Sequence, residues 1–280
     1  MSDATVMLQM RLDAALVMHR LAGSREAACD LTREGKVLVN GSVALKPARQ
    51  VRKGDRIEVT MPPRFVSRGG LKLEASLQRF SIDVSGLRVL DVGSSTGGFT
   101  DCLLQNGARA VCAVDVGTNQ LHEKVRFDAR VKSFEQTNIK DFIDPERSGF
   151  DLVVVDVSFT SIRHLTKHLL NLTRSDGQLV ILVKPQFEVG HRDASKGKGV
   201  IRDPALWRTA ILTTAHEFAQ YNVSVIDVAL SKIRGAQGNA EFFLYISKLP
   251  IRQISNSLEK AIEREILQAQ GVSNDDQFET

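Results

Sequence analysis

Val89-Leu90-Asp91-Val92-Gly93-Ser94-Ser95-Thr96-Gly97-Gly98-Phe99-Thr100 reads as an apolar strand that passes through a glycine-rich turn into a helix. Such a unit opens a doubly wound α/β sheet, where ligands bind beyond the carboxyl ends of the strands. Glycines at the turn let the backbone come close to a ligand. The dinucleotide fingerprint GxGxxG is not met, because Ser95 stands at its second glycine, and no Gly-Lys-Ser/Thr follows to make a P-loop.

Working outward, the same alternation continues. Strands are expected over 88–92, 110–114, 151–156, 178–184, 223–230 and 242–247, with helices over 97–105, 161–170 and 204–219. Strands separated by helices predict a parallel sheet covered on both faces. The last two strands have no helix between them, which predicts an antiparallel edge. The fold class is therefore α/β, a Rossmann-like domain with a mixed sheet. Asp91 would present negative charge to a bound ligand, which suits the cationic sulfonium of S-adenosylmethionine better than a pyrophosphate. Asp115, with Val116 beside it, ends the second strand, where an acid accepts hydrogen bonds from ribose hydroxyls. Asn138 and Ile139 follow the next strand-like segment and either flank an adenine or form a plain turn. The cofactor expectation thus gathers Asp91, Gly93, Ser94, Ser95, Thr96, Gly97, Gly98, Phe99, Asp115, Val116, Asn138 and Ile139.

The chain of 280 residues has a net charge of +4, unevenly placed: residues 1–72 hold 13 Lys+Arg against 7 Asp+Glu, the remainder 24 against 26. A basic first quarter is what contact with a phosphate backbone requires, although a merely solvated surface would read the same way. That part has the pattern of a small αα-β unit. Leu12, Ala15, Leu16 and Leu21 have helical spacing up to Gly23, Ser24 caps a second helix, and Asn40-Gly41 marks a hairpin turn. The expected divisions are 9–60 for this unit, 61–66 for a linker containing Pro62 and Pro63, 67–250 for the α/β domain, and 251–280 for a tail. In the tail, Ile254, Leu258, Ile262 and Leu267 suggest a short amphipathic helix before a polar end. No apolar run reaches membrane-spanning length, and no signal-peptide pattern opens the chain. Cys29, Cys102 and Cys112 lack CxxC spacing and read as buried thiols in a reducing cytosol; no metal site is expected.

Four polar residues stand where a packing role is a poor account of them. Lys184 ends the apolar strand 179–183, Asp156 ends the strand 152–155, Lys72 enters a helix after Ser67-Arg68-Gly69-Gly70, and Glu241 starts the last strand. Two lysines and two acids neutralise one another in a partly buried cluster, either as catalytic groups or as a salt-bridge network.

The residues also carry a resemblance. Arg11-Leu12-Asp13, Ser24-Arg25, the run Gly35 to Gly41, Lys46-Pro47 and Gly54-Asp55-Arg56-Ile57 resemble an S4 domain. By that resemblance Arg11, Arg25, Lys36 and Lys46 contact structured RNA, with Arg64 and Arg68 following. Lys72, Asp156, Lys184 and Glu241, in that order, resemble the catalytic tetrad of FtsJ-type ribose 2′-O-methyltransferases. Val66-Ser67-Arg68-Gly69-Gly70, Val155-Asp156-Val157-Ser158-Phe159, Lys184-Pro185-Gln186-Phe187-Glu188 and the run Gly197 to Asp203 are similar to the TlyA family. The resemblance implies methylation of cytidine ribose in the RNA of ribosomal subunits, by a cytoplasmic protein acting as a monomer, with Lys184 as general base or positioner of the hydroxyl. Base methylation is disfavoured because Asp156-Val157-Ser158-Phe159 lacks the paired prolines such enzymes carry. A non-catalytic assembly factor or a cytolysin are the remaining alternatives.

Overall fold

The computed structural model describes residues 9–60, 63–190, 197, 199–249 and 256–275. Met61 and Pro62 of the expected linker, Lys198, Ile254 and the final residues 276–280 lie outside these.

The first unit is built on a small apolar interior. β1 (Gln9–Arg11) leads into α1 (Leu12–Met18), followed by α2 (Arg25–Arg33), β2 (Val37–Val39), β3 (Ser42–Val43), β4 (Gln50–Arg52) and β5 (Ile57–Val59). Leu12, Ala15 and Leu16 of α1 meet Ala28 and Leu31 of α2 over Val37, Val39 and Val51. The Ser24 hydroxyl accepts the Ala27 N–H at 3.1 Å, which starts α2 as its spacing predicts. Asn40 and Gly41 take φ of 52° and 76°, the two left-handed positions of a tight hairpin turn. Helix α1 stops at Met18, short of Gly23, and Arg20 makes the turn with φ of 58°. Gly23 serves a different purpose. A Cβ there would lie 2.7 Å from the His122 ring and 3.1 Å from the Val66 carbonyl oxygen, so this is where the first unit abuts the second.

The second unit is a seven-stranded sheet. Its strands are β6 (Arg88–Val92), β7 (Ala110–Val114), β8 (Val131–Phe134), β9 (Phe150–Val155), β10 (Thr173–Val183), β11 (Ser224–Leu230) and β12 (Phe242–Ser247), in the order β11-β12-β10-β9-β6-β7-β8. Pairing is parallel from β10 through β9, β6 and β7 to β8, and β12 runs antiparallel to both β10 and β11. The last two strands form the expected antiparallel edge, with β12 between β10 and β11 and β11 outermost. The side chains account for that order. Phe242, Phe243, Leu244 and Ile246 are buried on both faces of β12, which only an interior strand permits, whereas β11 carries the half-buried Asp227 and a register shift beside it.

Helices cover both faces. α3 (Arg68–Arg79) and α4 (Gly98–Gln105) bring Leu73, Leu77, Phe99 and Leu103 to one side. On the other, α6 (Thr166–Leu172), α8 (Pro204–Ala219) and α9 (Asn256–Asp275) contribute Leu169, Trp207, Ile211, Phe218, Ile262 and Ile266. The short helices α5 (Glu123–Arg126) and α7 (Pro185–Glu188) sit in loops, and the expected 161–170 helix divides into a 3-10 turn at Ile162–His164 followed by α6. The tail helix is longer than expected, and its inward residue is Ile266, while Leu267 is 67% exposed. At 100° per residue, 266 follows 262 by one turn and 267 falls well round the helix.

Two outcomes test these assignments. Ile266→Ala should destabilise the protein by about 2–4 kcal/mol in denaturant titration, and Leu267→Ala by less than about 0.5 kcal/mol. In the first unit, Asp13 is 2% exposed and lies 2.7 Å from Arg11 Nη2 and 3.3 Å from Arg25 Nη2. The hydrogen bond from Arg11 chiefly holds its carboxyl at about 2, below the usual 3.8. A lowered carboxyl pKa contributes stability above the unfolded value, and that contribution is lost as pH falls through the folded one. Amide protection factors in α1 and α2 should therefore fall between pH 3.8 and about 2, and Asp13→Asn should remove that fall.

Candidate active site

The site begins with a buried acid. β6 carries Asp91 to the carboxyl edge of the sheet, where it is 0% exposed. Its Oδ2 accepts the Thr100 hydroxyl at 2.6 Å, while Oδ1 is buried with no hydrogen-bond partner among the described residues. Burial, opposed by the Thr100 bond and helped by the nearby Asp156 charge, pushes its pKa up to about 7.

Above Asp91 the glycine turn is packed without slack. Gly93 has φ of 81°, and a Cβ on it would stand 2.4 Å from the Asp156 carbonyl oxygen. Gly98 leaves no more room: a Cβ would come 2.2 Å from Ser67 Oγ and 3.0 Å from the Gly70 nitrogen, so the first turns of α3 and α4 are pressed together. Asp115, just past β7, accepts the Ser95 N–H at 2.8 Å and the Gly117 N–H at 2.7 Å, which fixes its carboxylate at the mouth of the turn.

Two hollows open along this edge. The larger, about 550 Å³, is lined by Gly93, Ser95, Asp115, Val116, Asn138, Ile139, Asp156 and Phe159. The smaller, about 180 Å³, is lined by Lys72, Ser94, Thr96, Gly98, Phe99 and Asp156, with Ser24, Glu26 and Asp30 of the first unit forming its far wall. Gly93, Ser95 and Asp156 belong to both, so the hollows form one trough. Asn138 is a turn residue whose Oδ1 accepts the Lys140 N–H at 3.0 Å, and it also lines the hollow. The trough suits S-adenosylmethionine. The larger hollow has the size and mixed lining of a nucleoside site, with the Asp115 carboxylate in its wall.

The four charged candidates gather at the same edge as two opposite-charge pairs. Lys72 reaches from α3 to Glu241, Nζ to Oε2 2.7 Å, and Glu241 is 2% exposed. Lys184 Nζ lies 2.5 Å from Asp156 Oδ1 and donates to Ser158 Oγ at 2.9 Å. Register explains the gathering: Val183 of β10 pairs with Phe242 of the antiparallel β12, so Lys184 and Glu241 follow as neighbours at the end of one strand and the start of the other. Glu241 is seated against Gly235, where a Cβ would lie 2.0 Å from Oε1.

Most of the basic residues expected to meet RNA are themselves paired. Arg11 and Arg25 share Asp13, Lys36 lies 2.7 Å from Glu34, and Arg64 lies 2.6 Å from Glu74. Arg68 bridges to Glu26 at 2.9 Å and Asp30 at 2.8 Å, across the seam between the units. Lys46 is exposed. The sequence reading assigned no role to Ser158, although it stands two residues after Asp156 within a quoted motif.

Residues 65–248 match the family described as FtsJ-like methyltransferase, and residues 10–57 match the S4 domain. The chain is 41% identical over 261 residues to the 16S/23S rRNA (cytidine-2′-O)-methyltransferase TlyA of Mycobacterium tuberculosis, a match covering 91% of this chain and 97% of that protein. It is 39% identical to a protein of Brachyspira hyodysenteriae called Hemolysin A, covering 84% of this chain and 99% of the relative. The solved structure of a candidate hemolysin from Streptococcus thermophilus superposes with a TM-score of 0.77 at 35% identity, covering 98% of this chain and all of that one, 100%.

Burial raises the Asp91 carboxyl to about 7, and a cationic ligand brought close to it would favour its ionised form. Binding of S-adenosylmethionine should therefore release protons at pH 6 and weaken by up to about tenfold per unit below pH 7. Asp91→Asn should bind more weakly at pH 8 and show no such slope. Calorimetry in buffers of different ionisation enthalpy reads the proton count directly; a flat profile in the unaltered protein would exclude this role for Asp91.

Proposed function

The chain belongs to the FtsJ-like methyltransferase family, in the S4-bearing TlyA branch, and from that premise we propose that it methylates the 2′-hydroxyl of cytidine ribose in ribosomal RNA. Family membership makes it an S-adenosylmethionine-dependent methyltransferase. The observation that carries the ribose assignment is the pair of lysine–carboxylate contacts, Lys72–Glu241 and Lys184–Asp156, beside the trough. The sequence after Asp156 is Val157-Ser158-Phe159, without the prolines that present backbone carbonyls to an exocyclic amine. The substrate is RNA of the small subunit, the large subunit or both, met in the cytoplasm by a monomer. Residues 9–60 grip the RNA, with Arg11, Arg25, Lys36, Lys46, Arg64 and Arg68 as the contacts, and residues 67–250 perform the transfer.

The Brachyspira and Streptococcus relatives carry hemolysin names. Among the described residues of this chain, no helix is long and apolar enough to cross a membrane.

Bound S-adenosylmethionine supplies a methyl group already activated on a sulfonium. Asp115 would hold the ribose of that ligand and Asp91 would balance its positive charge, with the glycine turn offering backbone to it. Lys184, held between Asp156 and Ser158, meets the acceptor hydroxyl and stabilises its oxygen as the proton leaves; Asp156 is the carboxylate beside it to which that proton passes. Lys72 and Glu241 keep the second half of the cluster neutral and in place. Much of the acceleration then comes from fixed geometry.

Lys184→Ala should lower methyl transfer by at least about 100-fold while changing S-adenosylmethionine affinity by less than about threefold. The assay uses labelled cofactor with separated small and large ribosomal subunits lacking the modification, followed by mapping of 2′-O-methyl sites. Full activity in the variant would remove Lys184 from the mechanism, and label on a base would reassign the acceptor.

A further inference from the structure

Two loops make the acceptor side of the trough. One follows β9 and carries Asp156, Ser158 and Phe159; the other follows β10 and carries Lys184, with α7 directly after it. Neither loop has a backbone ladder to hold it against the other, yet Lys184 must stay in contact with both Asp156 and Ser158. At their near ends the loops are joined by those contacts, at 2.5 Å and 2.9 Å. At their far ends a second joint exists. Glu188, the last residue of α7 and 5% exposed, accepts the Ser161 hydroxyl on Oε2 at 2.5 Å and the Ile162 N–H on Oε1 at 2.8 Å.

This joint has the marks of a specific connection. Both carboxylate oxygens are used, each by a different donor, and both donors belong to the β9 loop where it enters the 3-10 turn Ile162–His164. Arg163 closes over the joint, donating to the Glu188 carbonyl oxygen at 3.1 Å and lying 3.5 Å from its carboxylate, so the buried charge has a cationic neighbour. Between the two joints Phe159 rests against Phe187, ring centroids 5.6 Å apart, with its backbone in the left-handed region at φ of 66°. The Phe159 side chain is otherwise 93% exposed, so the loop is held by its two ends and not by its middle. The β9 loop from Asp156 to Ile162 is thus clamped at both ends to the Lys184–Glu188 turn.

We infer that Glu188 is a positioning residue for the methyl transfer, fastening the loop after β9 to the turn after β10 so that Lys184, Asp156 and Ser158 stay in register at the acceptor hydroxyl. Glu188 does not line the trough and touches no group proposed to meet cofactor or RNA. It acts through the loop, which rests on the function proposed above. The clamped loop also lines the cofactor hollow, through Asp156 to Thr160, beside the loops after β6, β7 and β8, so losing the clamp loosens the acceptor side most and the donor side to a lesser degree.

Three variants of the full chain test this: Glu188→Ala, Glu188→Gln and Ser161→Ala. Glutamine keeps one acceptor for the Ile162 N–H, and its amide can donate to a rotated Ser161 hydroxyl, so it should restore the joint. Glu188→Ala should lower kcat on unmodified ribosomal subunits by about 100-fold, the effect of a misplacement of roughly an ångström, with S-adenosylmethionine affinity falling by much less, at most about fivefold. Glu188→Gln should recover most of that rate, and Ser161→Ala should fall between them. Hydrogen exchange at the Ile162 amide should accelerate in the alanine variant at position 188 and stay slow in the glutamine one. A kcat within about threefold of normal in Glu188→Ala would overturn the inference. So would parallel losses of cofactor affinity and rate, which would mark a general structural role. The unaltered protein in the same assay guards the reading beneath: if it transfers no methyl group to either subunit, the proposed function fails whatever the variants do.

Discussion

Two cations and two anions crowd one end of the sheet, Lys184 and Glu241 buried and Lys72 and Asp156 half-buried beside the trough, and the rest of the architecture must accommodate that. An unpaired charge at such depth is costly, so each lysine needs a carboxylate within contact distance. Lys184 finds Asp156 because β9 and β10 are parallel and end together. Lys72 finds Glu241 only because β12 is reversed: in a strand parallel to its neighbour, the start would lie at the opposite end of the sheet. The antiparallel strand is the means by which an acid just before a strand comes to stand beside a lysine just after one. The apolar character of Phe242, Phe243 and Leu244 buries that strand, and Gly235 gives the Glu241 carboxylate its seat.

Much of this was legible in the chain before its coordinates. Apolar runs ending in a single charged residue marked the carboxyl edge, and the glycine turn after Val92 marked where a ligand would approach. Asn40-Gly41 named its own turn. What stayed hidden depended on partners distant in sequence. The position of β12 within the sheet follows from burial on both faces, which a short apolar run shares with any core segment. In the tail, Leu267 and Ile266 compete for one face, and helical spacing from Ile262 separates them once the helix length is known. Glu188 sat in plain view within Lys184-Pro185-Gln186-Phe187-Glu188, but a glutamate near a proline carries no mark of being buried, and only its two donors reveal its use.

The basic first quarter shows the same dependence on partners. Its charge total suggested a surface open to phosphate, yet Asp13 holds two guanidiniums and Arg68 is shared between Glu26 and Asp30. An arginine fixed by a carboxylate on one edge still presents its remaining N–H groups in a set direction, which loses less freedom on meeting a second anion than a free side chain would. Pairing of this kind lowers the net attraction for any polyanion while sharpening the geometry it must match.

The contact at Gly23 gives that geometry a scale. Gly23 meets the His122 ring and the Val66 carbonyl with no side chain of its own between the two units. Under the function proposed above, the two units would work like the jaws of a caliper. An RNA would be judged by the span between the feature gripped and the ribose reached, and a nucleotide of the right kind at the wrong span would go unmodified.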